Sequence, residues 1–373
     1  MRIAYFTSHI LPKDFQLLEA KAATKPNPAG QNFHGRLINA IAPFAEVQVI
    51  SLIPNREGLI SEGERNENGL TYRYVDSGNN KIARAILAPG RTAKQVATPV
   101  DIVIYDSLSI TLAKAAKKAA KATGAKLVAI CTDSPYNLTG TKKSYSDLLV
   151  SLSSNCDGYF CLTEGLNKLF NKRGAPSLIR MGVAEFPEKK ESIGRAPYFY
   201  YGGALFIKDG TKAMIDAYNA LKPDYDLVIA GHGAYEKEAK EASNANPRIH
   251  FLGQISKEEN WDLECGASLL INPRLYRKDL DDVSIPSKVI EYLATGNPIV
   301  STKSEDLKKA YPDDVNWIED GAELTKFLAD HLDKNGKLMG LKENCAAKKL
   351  ASVLGFKAIG EDFTSFLQTL IRK

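Results

Sequence analysis

The sequence predicts an α/β protein of two doubly wound domains, each a mostly parallel sheet covered by helices on both faces. Three observations predict it. Apolar, β-rich runs alternate with helix-capable stretches along the whole chain, and this alternation restarts after a charged stretch bounded by prolines. The length of 373 residues also exceeds what one ordinary core holds.

In the first series the strand-like runs are RIAYFTS, VQVISLI, DIVIYD, KLVAIC, GYFCLT and SLIRMG. The second series runs YFYYGG, YDLVIAG, RIHFLG, ASLLINP, NPIVST and VNWIE. Between them PEKKESIGRAP, Pro187 to Pro197, reads as a linker, with the boundary near residue 190. The expected division is therefore a domain over 1–188, a second over 189–355, and a helix over 356–373 that crosses back toward the first. In that last stretch Phe363, Phe366, Leu367 and Leu370 form an apolar stripe. Two such domains facing each other would hold a ligand in the cleft between them, beyond the carboxyl ends of their strands.

Composition excludes several classes. A formal charge of +5, from 49 basic and 44 acidic residues, comes without an arginine-rich block or basic-aromatic interleaving, which argues against nucleic acid as a partner. Five scattered cysteines without a Cys-x-x-Cys pair argue against a disulfide framework and a structural zinc, and read as mostly buried thiols of a cytoplasmic protein. No apolar run reaches the length of a membrane span, and the start of the chain carries no signal peptide. Lys114, Lys117, Lys118 and Lys121 share one helix face, which reads either as a solvated surface or as a peripheral membrane contact.

The chemistry concentrates at strand ends. IPSKVIEYLATGNPIVST, Ile285 to Thr302, predicts a short helix with Ser287 as N-cap and a stop at Gly296. Ser287, Lys288 and Glu291 then share one side near its N-terminus, where free N–H groups and a lysine suit phosphate oxygens and a carboxylate suits ribose hydroxyls. The alternative is an exposed Lys288–Glu291 pair. In GGALFIKDG, Gly202 and Gly203 permit close backbone approach, and Lys208, before a helix expected near Asp209, reads as a phosphate ligand or a solvated loop lysine. Arg274 closes ASLLIN and could grip phosphate bidentately or belong to a basic loop with Arg277 and Lys278. The turn Gly253, Gln254, Ile255 offers backbone groups to a nucleobase edge.

In the first series, Gly30 lies in NPAGQN, read as a loop before a helix near Phe33, where it could let the backbone approach a phosphate or sugar. Asp133 in TDSPYN could orient an acceptor hydroxyl or simply make a turn before Pro135. Two Asp-x-Asp runs, Asp224 to Asp226 and Asp279 to Asp281, have a metal-binding form, but the first opens a strand and the second sits in a basic loop. Gly231-His232-Gly233 resembles a dinucleotide turn without its third glycine. The five histidines are scattered, and His250 reads as a packed strand residue.

Taken in order, GGALFIKDG, LVIAGHG, RIHFLGQI, LLINPR and IPSKVIEYLATGNPIVS resemble the retaining glycosyltransferases of family 4, with the GT-B fold of two Rossmann-like domains. DGYFCLTEGLN and CTDSPYN are similar to the bacterial exopolysaccharide branch. The resemblance implies transfer of a sugar from a nucleotide-diphosphate sugar, a UDP-sugar foremost, to a glycan or lipid-linked acceptor, with no metal and no cofactor. It implies that Lys208 binds the donor diphosphate, Glu291 the ribose, Ile255 the base through its backbone, and that Gly30 approaches the donor from the first domain. Lys208, Arg274, Lys288 and the Ser287 helix end would stabilise the departing diphosphate, and Asp133 would position the acceptor.

Three departures stand out. Val283 occupies the place of a glutamate found eight residues before the one matching Glu291, Gly203 the place of a phosphate-binding arginine, and Cys131 to Asp133 the place of a catalytic-loop histidine. Arg274 and Lys288 are the candidates to supply the missing charge. A rival expectation is a degenerate transferase subunit that binds or stabilises an active partner.

Overall fold

The computed structural model describes residues 1–23, 28–54, 57–78, 85–138, 140–187 and 197–372. Most of the expected linker, residues 188–196, lies outside them. The chain divides into two compact units, Met1–Val183 with Asp282–Ser284 and Leu354–Lys373, and Ala184–Asp281 with Ile285–Val353.

In the first unit eight strands are β1 Arg2–Thr7, β2 Glu46–Leu52, β3 Gly63–Glu67, β4 Leu70–Val75, β5 Ile102–Asp106, β6 Lys126–Cys131, β7 Gly158–Cys161 and β8 Ser177–Ile179. They lie in the order β3-β4-β2-β1-β5-β6-β7-β8, parallel except for β3. β1, β5, β6 and β7 are buried almost without interruption, as expected for parallel strands covered on both faces. The β3–β4 hairpin is absent from the expected strands. Its signal is Asn68-Gly69, both at positive φ, the chemistry of a tight hairpin turn. Gly63–Glu67 itself is polar and largely exposed, so it carries no apolar alternation to betray it.

The second unit holds β9 Tyr198–Gly202, β10 Asp226–Ala230, β11 Ile249–Phe251, β12 Leu269–Asn272, β13 Ile299–Thr302 and β14 Asn316–Ile318. All pairs are parallel, in the order β11-β10-β9-β12-β13-β14. β9 is central, and its run of four aromatic residues is buried. Each tyrosine there finds a partner: Tyr198 donates to Leu263 O, Tyr200 to Asn260 Oδ1 and Tyr201 to Ala204 O. Connections leave β9 on one side toward β10 and return on the other to β12, so the strand order reverses between β9 and β12. In the first unit the same reversal falls between β1 and β5. Open α/β sheets bind ligands at such points because the loops there diverge and leave a crevice.

The C-terminal helix Phe356–Ile371 packs on the helix Pro28–Ile41 within the first unit. Ile359, Phe363, Leu367 and Leu370 are buried, each contributing about 1.5–3 kcal/mol, whereas the half-exposed ion pair Arg180–Asp362 contributes about 0–1 kcal/mol. Apolar burial therefore holds this helix. Phe366 lies beside the stripe, its ring stacked nearly parallel to that of Phe363 with centres 6.2 Å apart. At the crossing a Cβ on Gly360 would overlap the Ala40 carbonyl oxygen and the Phe44 ring. Gly360→Ala is therefore expected to lower stability by about 1–3 kcal/mol despite a helix-propensity gain of about 1 kcal/mol, read as a lower urea midpoint; an unchanged or raised midpoint would contradict this packing.

Candidate functional site

The second unit's reversal point brings the expected cations together. The loop after β9 turns at Gly202 and Gly203, passes through a single 3₁₀ turn at Ile207–Asp209, and enters the helix Thr211–Leu221 through Gly210 at φ +79°. The helix thus begins two residues beyond Asp209, because Gly210 takes the left-handed conformation there. Lys208 is exposed, its ammonium 5.6 Å from the Phe206 ring centre.

Backbone contacts fix the neighbouring loop after β12. Leu275 N donates to Lys208 O, Thr302 Oγ1 donates to Arg274 O, and the Pro273 carbonyl sits against both Gly210 and Gly321, where any Cβ would overlap it. Arg274 is thereby held at the strand end, and its Nη2 donates to Asp281 Oδ1 at 3.3 Å, with Asp281 almost fully buried. Asp281 Oδ2 also accepts from Glu305 N, so this aspartate ties the arginine to a helix start.

Lys288 supplies the third cation. It lies on the helix Ser287–Thr295, which ends at Gly296 with φ +79° and buries Val289, Ile290 and Leu293. Ser287 is the first helical residue rather than the cap. Pro286 occupies the cap position in an extended conformation and no side chain caps the helix; of the first-turn amides Val289 N donates to Pro286 O, which leaves those of Ser287 and Lys288 without an intrahelical acceptor. The residue Lys288 is partly buried, but its ammonium is surrounded by protein, 4.0 Å from the Tyr201 ring centre. Burial lowers its pKa from 10.5 to about 8, against the opposing pull of Asp209 and Glu291. A Cβ built on Gly203 would stand 2.5 Å from Lys288 Nζ. The ammonium fills the space that a side chain at position 203 would need, so a lysine 85 residues away stands where the resemblance led us to expect an arginine.

The remaining glycines serve loop packing. A Cβ on Gly231 would overlap Gly203 O, and one on Gly233 would overlap Leu205 O, while Leu205 N donates to His232 O. The Gly231-His232-Gly233 turn thus supports the Gly203 loop and is not needed as a dinucleotide turn. Ile255 follows Gly253, whose φ of +67° makes the turn after β11, and Gly253 O accepts from Gly231 N. The acidic pairs are engaged: Asp224 with Lys337 and Arg248, Asp226 with Arg248 and His250, Asp279 with Arg277. His250, expected to be packed, is instead half exposed and bonded to Asp226 at 2.8 Å.

Residues 183–345 match the family model described as glycosyl transferases group 1. That match falls on the second unit. The whole chain shares the GT-B fold of solved glycosyltransferases at low identity. AviGT4, a glycosyltransferase involved in avilamycin A biosynthesis, is 14% identical with a TM-score of 0.63, over 100% of this chain and 98% of that one. HepE of Anabaena, solved in complex with UDP and glucose, is 11% identical with a TM-score of 0.66, over 99% and 100%. Sucrose-phosphate synthase from Thermosynechococcus elongatus is 12% identical with a TM-score of 0.71, over 100% and 99%. No curated protein matches at the sequence level.

The first unit of this GT-B chain departs further from expectation. The helix expected near Phe33 begins at Pro28, a residue suited to a first helical turn, so Gly30 is a first-turn helical residue with open space beside it. Asp133 Oδ1 accepts from Ser134 N and Asn137 Nδ2 and closes a turn, which is the second of its two expected roles. Val283 belongs with this unit: Thr163 Oγ1 donates to Asp282 O, and Gly165 lies against the Asp282 carbonyl and the Val283 side chain.

Two histidines expected to be scattered meet at the β1–β5 reversal. His34 Nε2 lies 3.5 Å from Asp106 Oδ2 and its Nδ1 2.8 Å from the Tyr5 hydroxyl. His9 Nδ1 bonds Gln31 O at 2.9 Å, and burial together with neighbouring His34 lowers its pKa from 6.5 to about 4. Burial pushes the Asp106 carboxyl up, but His34 and the Leu108 amide together pull it below its usual 3.8. His9 follows a strand and Asp106 closes one, whereas His34 lies within the helix Pro28–Ile41 and carried no such signal. Of the cysteines, Cys131 and Cys161 are buried and Cys345 exposed, all as free thiols.

Lys288 generates a stability prediction. Because its folded pKa lies below its unfolded one, the unfolded chain binds more protons between about pH 8 and 10.5, and the lysine's destabilising effect fades as pH rises through that window. Relative to Lys288→Met, the natural protein should gain on the order of 1–3 kcal/mol between those limits. Urea unfolding of both at the two pH values measures the difference, and parallel pH profiles would contradict an enclosed ammonium.

Proposed function

We propose that the protein is a retaining glycosyltransferase that moves a sugar from a UDP-sugar to a glycan or lipid-linked acceptor in cell-surface polysaccharide synthesis. The observation that carries this reading is the convergence of Lys208, Arg274 and Lys288 at the β9–β12 reversal, beside the uncapped start of Ser287–Thr295. Three cations and free helix amides suit the two phosphates of a nucleotide diphosphate. HepE, of the same fold, was solved with UDP and with UDP-glucose, which supports UDP as the carrier.

In this reading Lys208, Arg274 and Lys288 hold the diphosphate, Glu291 on the next turn accepts from ribose hydroxyls, and the backbone at Ile255 meets the base. The acceptor oxygen bonds the anomeric carbon on the face from which the phosphate departs, so configuration is retained. The bond from that carbon to the phosphate oxygen breaks, and the acceptor's proton passes to the departing phosphate. The cations stabilise the charge that develops there, and the reading assigns no role to a metal or cofactor.

A lipid-linked acceptor fits one face of the first unit. Helix Ile110–Thr123 buries Leu112 and five alanines and turns Lys114, Lys117, Lys118 and Lys121 outward. Among the described residues none of the four forms an ion pair, and Lys118 Nζ reaches the helix Ala88–Ala93 near Gly90, beside exposed Ile86 and Leu87. Each lysine near an anionic bilayer contributes about 1 kcal/mol. No helix among the described residues is long and apolar enough to cross a membrane.

Titration of UDP-, GDP- and ADP-sugars in EDTA should give binding of one donor, UDP-linked, that weakens at least about tenfold in Lys208→Ala and in Glu291→Ala, the size of one lost charge-assisted hydrogen bond. Absence of binding to every donor would instead favour a degenerate subunit. Flotation with anionic vesicles should carry the protein upward, and the combined Lys117→Glu, Lys118→Glu and Lys121→Glu variant should stay behind; failure of the natural protein to float would remove the membrane contact.

A further inference from the structure

Asp209 is the carboxyl at the centre of this cation cluster, and the cations do not satisfy it. Its Oδ2 is buried and has no hydrogen-bond partner among the described residues. Lys288, Lys208 and Arg274 all act on it electrostatically, yet none closes an ion pair with it. The neighbouring donors are turned elsewhere: Tyr201 donates to Ala204 O, Thr211 to Phe206 O, and Arg274 to Asp281. Lys288 lies over the Tyr201 ring, within reach of the charge on Glu291 as well as that on Asp209. Burial raises the Asp209 pKa above 3.8, and the three cations offset this only in part.

A buried acceptor without a donor is costly, and a second anion brought to the same cations makes a charged carboxylate costlier still. Both difficulties vanish if the carboxyl carries a proton. We propose that Asp209 meets the bound nucleotide diphosphate as a protonated carboxyl, donating a hydrogen bond to a phosphate oxygen, so that binding takes up one proton from solvent. Departure of the nucleotide returns that proton. The inference rests on the reading that this cluster holds the donor diphosphate, and it adds a proton-coupled residue to that site.

The test is calorimetric titration of UDP into the natural protein and into Asp209→Asn, in two buffers of different ionisation enthalpy. The natural protein should take up about one proton more than the variant, and its affinity should fall about tenfold from pH 6.5 to 7.5 relative to Asp209→Asn. At pH 7.5 the variant, whose amide donates without needing a proton, should bind UDP more tightly than the natural protein. Equal proton uptake in both, or weaker binding by the variant, would overturn the proposal while leaving the diphosphate site intact. If neither binds UDP, GDP or ADP, the underlying reading fails instead. If the variant does not fold, affinity of the natural protein that does not fall with rising pH still overturns the proposal.

Discussion

Enclosing the Lys288 ammonium constrains most of what surrounds it. A charge withdrawn from water costs several kcal/mol unless other groups replace the lost solvation. The second unit answers with an aromatic face at Tyr201, carboxylates at Asp209 and Glu291, and an absent side chain at Gly203. A side chain at 203 would collide with the ammonium, loss of the ring would remove its apolar and electrostatic floor, and loss of either carboxylate would leave the charge further from compensation. The same enclosure makes the ammonium a responsive group, because a lysine held near neutrality gains most from an incoming anion.

Glycine supplies the second condition. At the β9–β12 reversal, loops from distant parts of the chain meet backbone to backbone: Gly210 and Gly321 against the Pro273 carbonyl, Gly231 against the Gly203 carbonyl, Gly233 against Leu205. Side chains would push these loops apart and spread the cations they carry. The close approach lets Lys208, Arg274 and Lys288, each from a different element, address one volume. It also explains why the glycines around Gly203 look like a nucleotide turn from sequence but act as spacers.

What could be read from the chain follows the range of the interaction. The alternation of apolar runs and helical stretches announced the two sheets, since burial on both faces writes itself into consecutive residues. The stop of the helix Ser287–Thr295 at Gly296 was legible for the same local reason. The hairpin at Asn68-Gly69 was signalled only by its turn, and the start at Pro28 only by a proline that suits a first turn. The placing of the Lys288 ammonium beside Gly203, and the meeting of His9 with His34 and Asp106, depend on strand order. Strand order is set by packing across the sheet, and no window of sequence holds it.

The division into units has a consequence for synthesis. The first unit takes its last helix from Phe356–Ile371 and borrows Asp282–Ser284 on the way. A ribosome therefore delivers almost all of the second unit before the first can be finished, and the apolar groove along Pro28–Ile41 stays open throughout that interval. At ordinary elongation rates of about 5–20 residues per second, this leaves roughly ten to forty seconds in which the surface that Phe363 and Leu367 will cover is bare. The nascent chain thus keeps an adhesive surface from the emergence of Pro28–Ile41 until Phe356–Ile371 follows it.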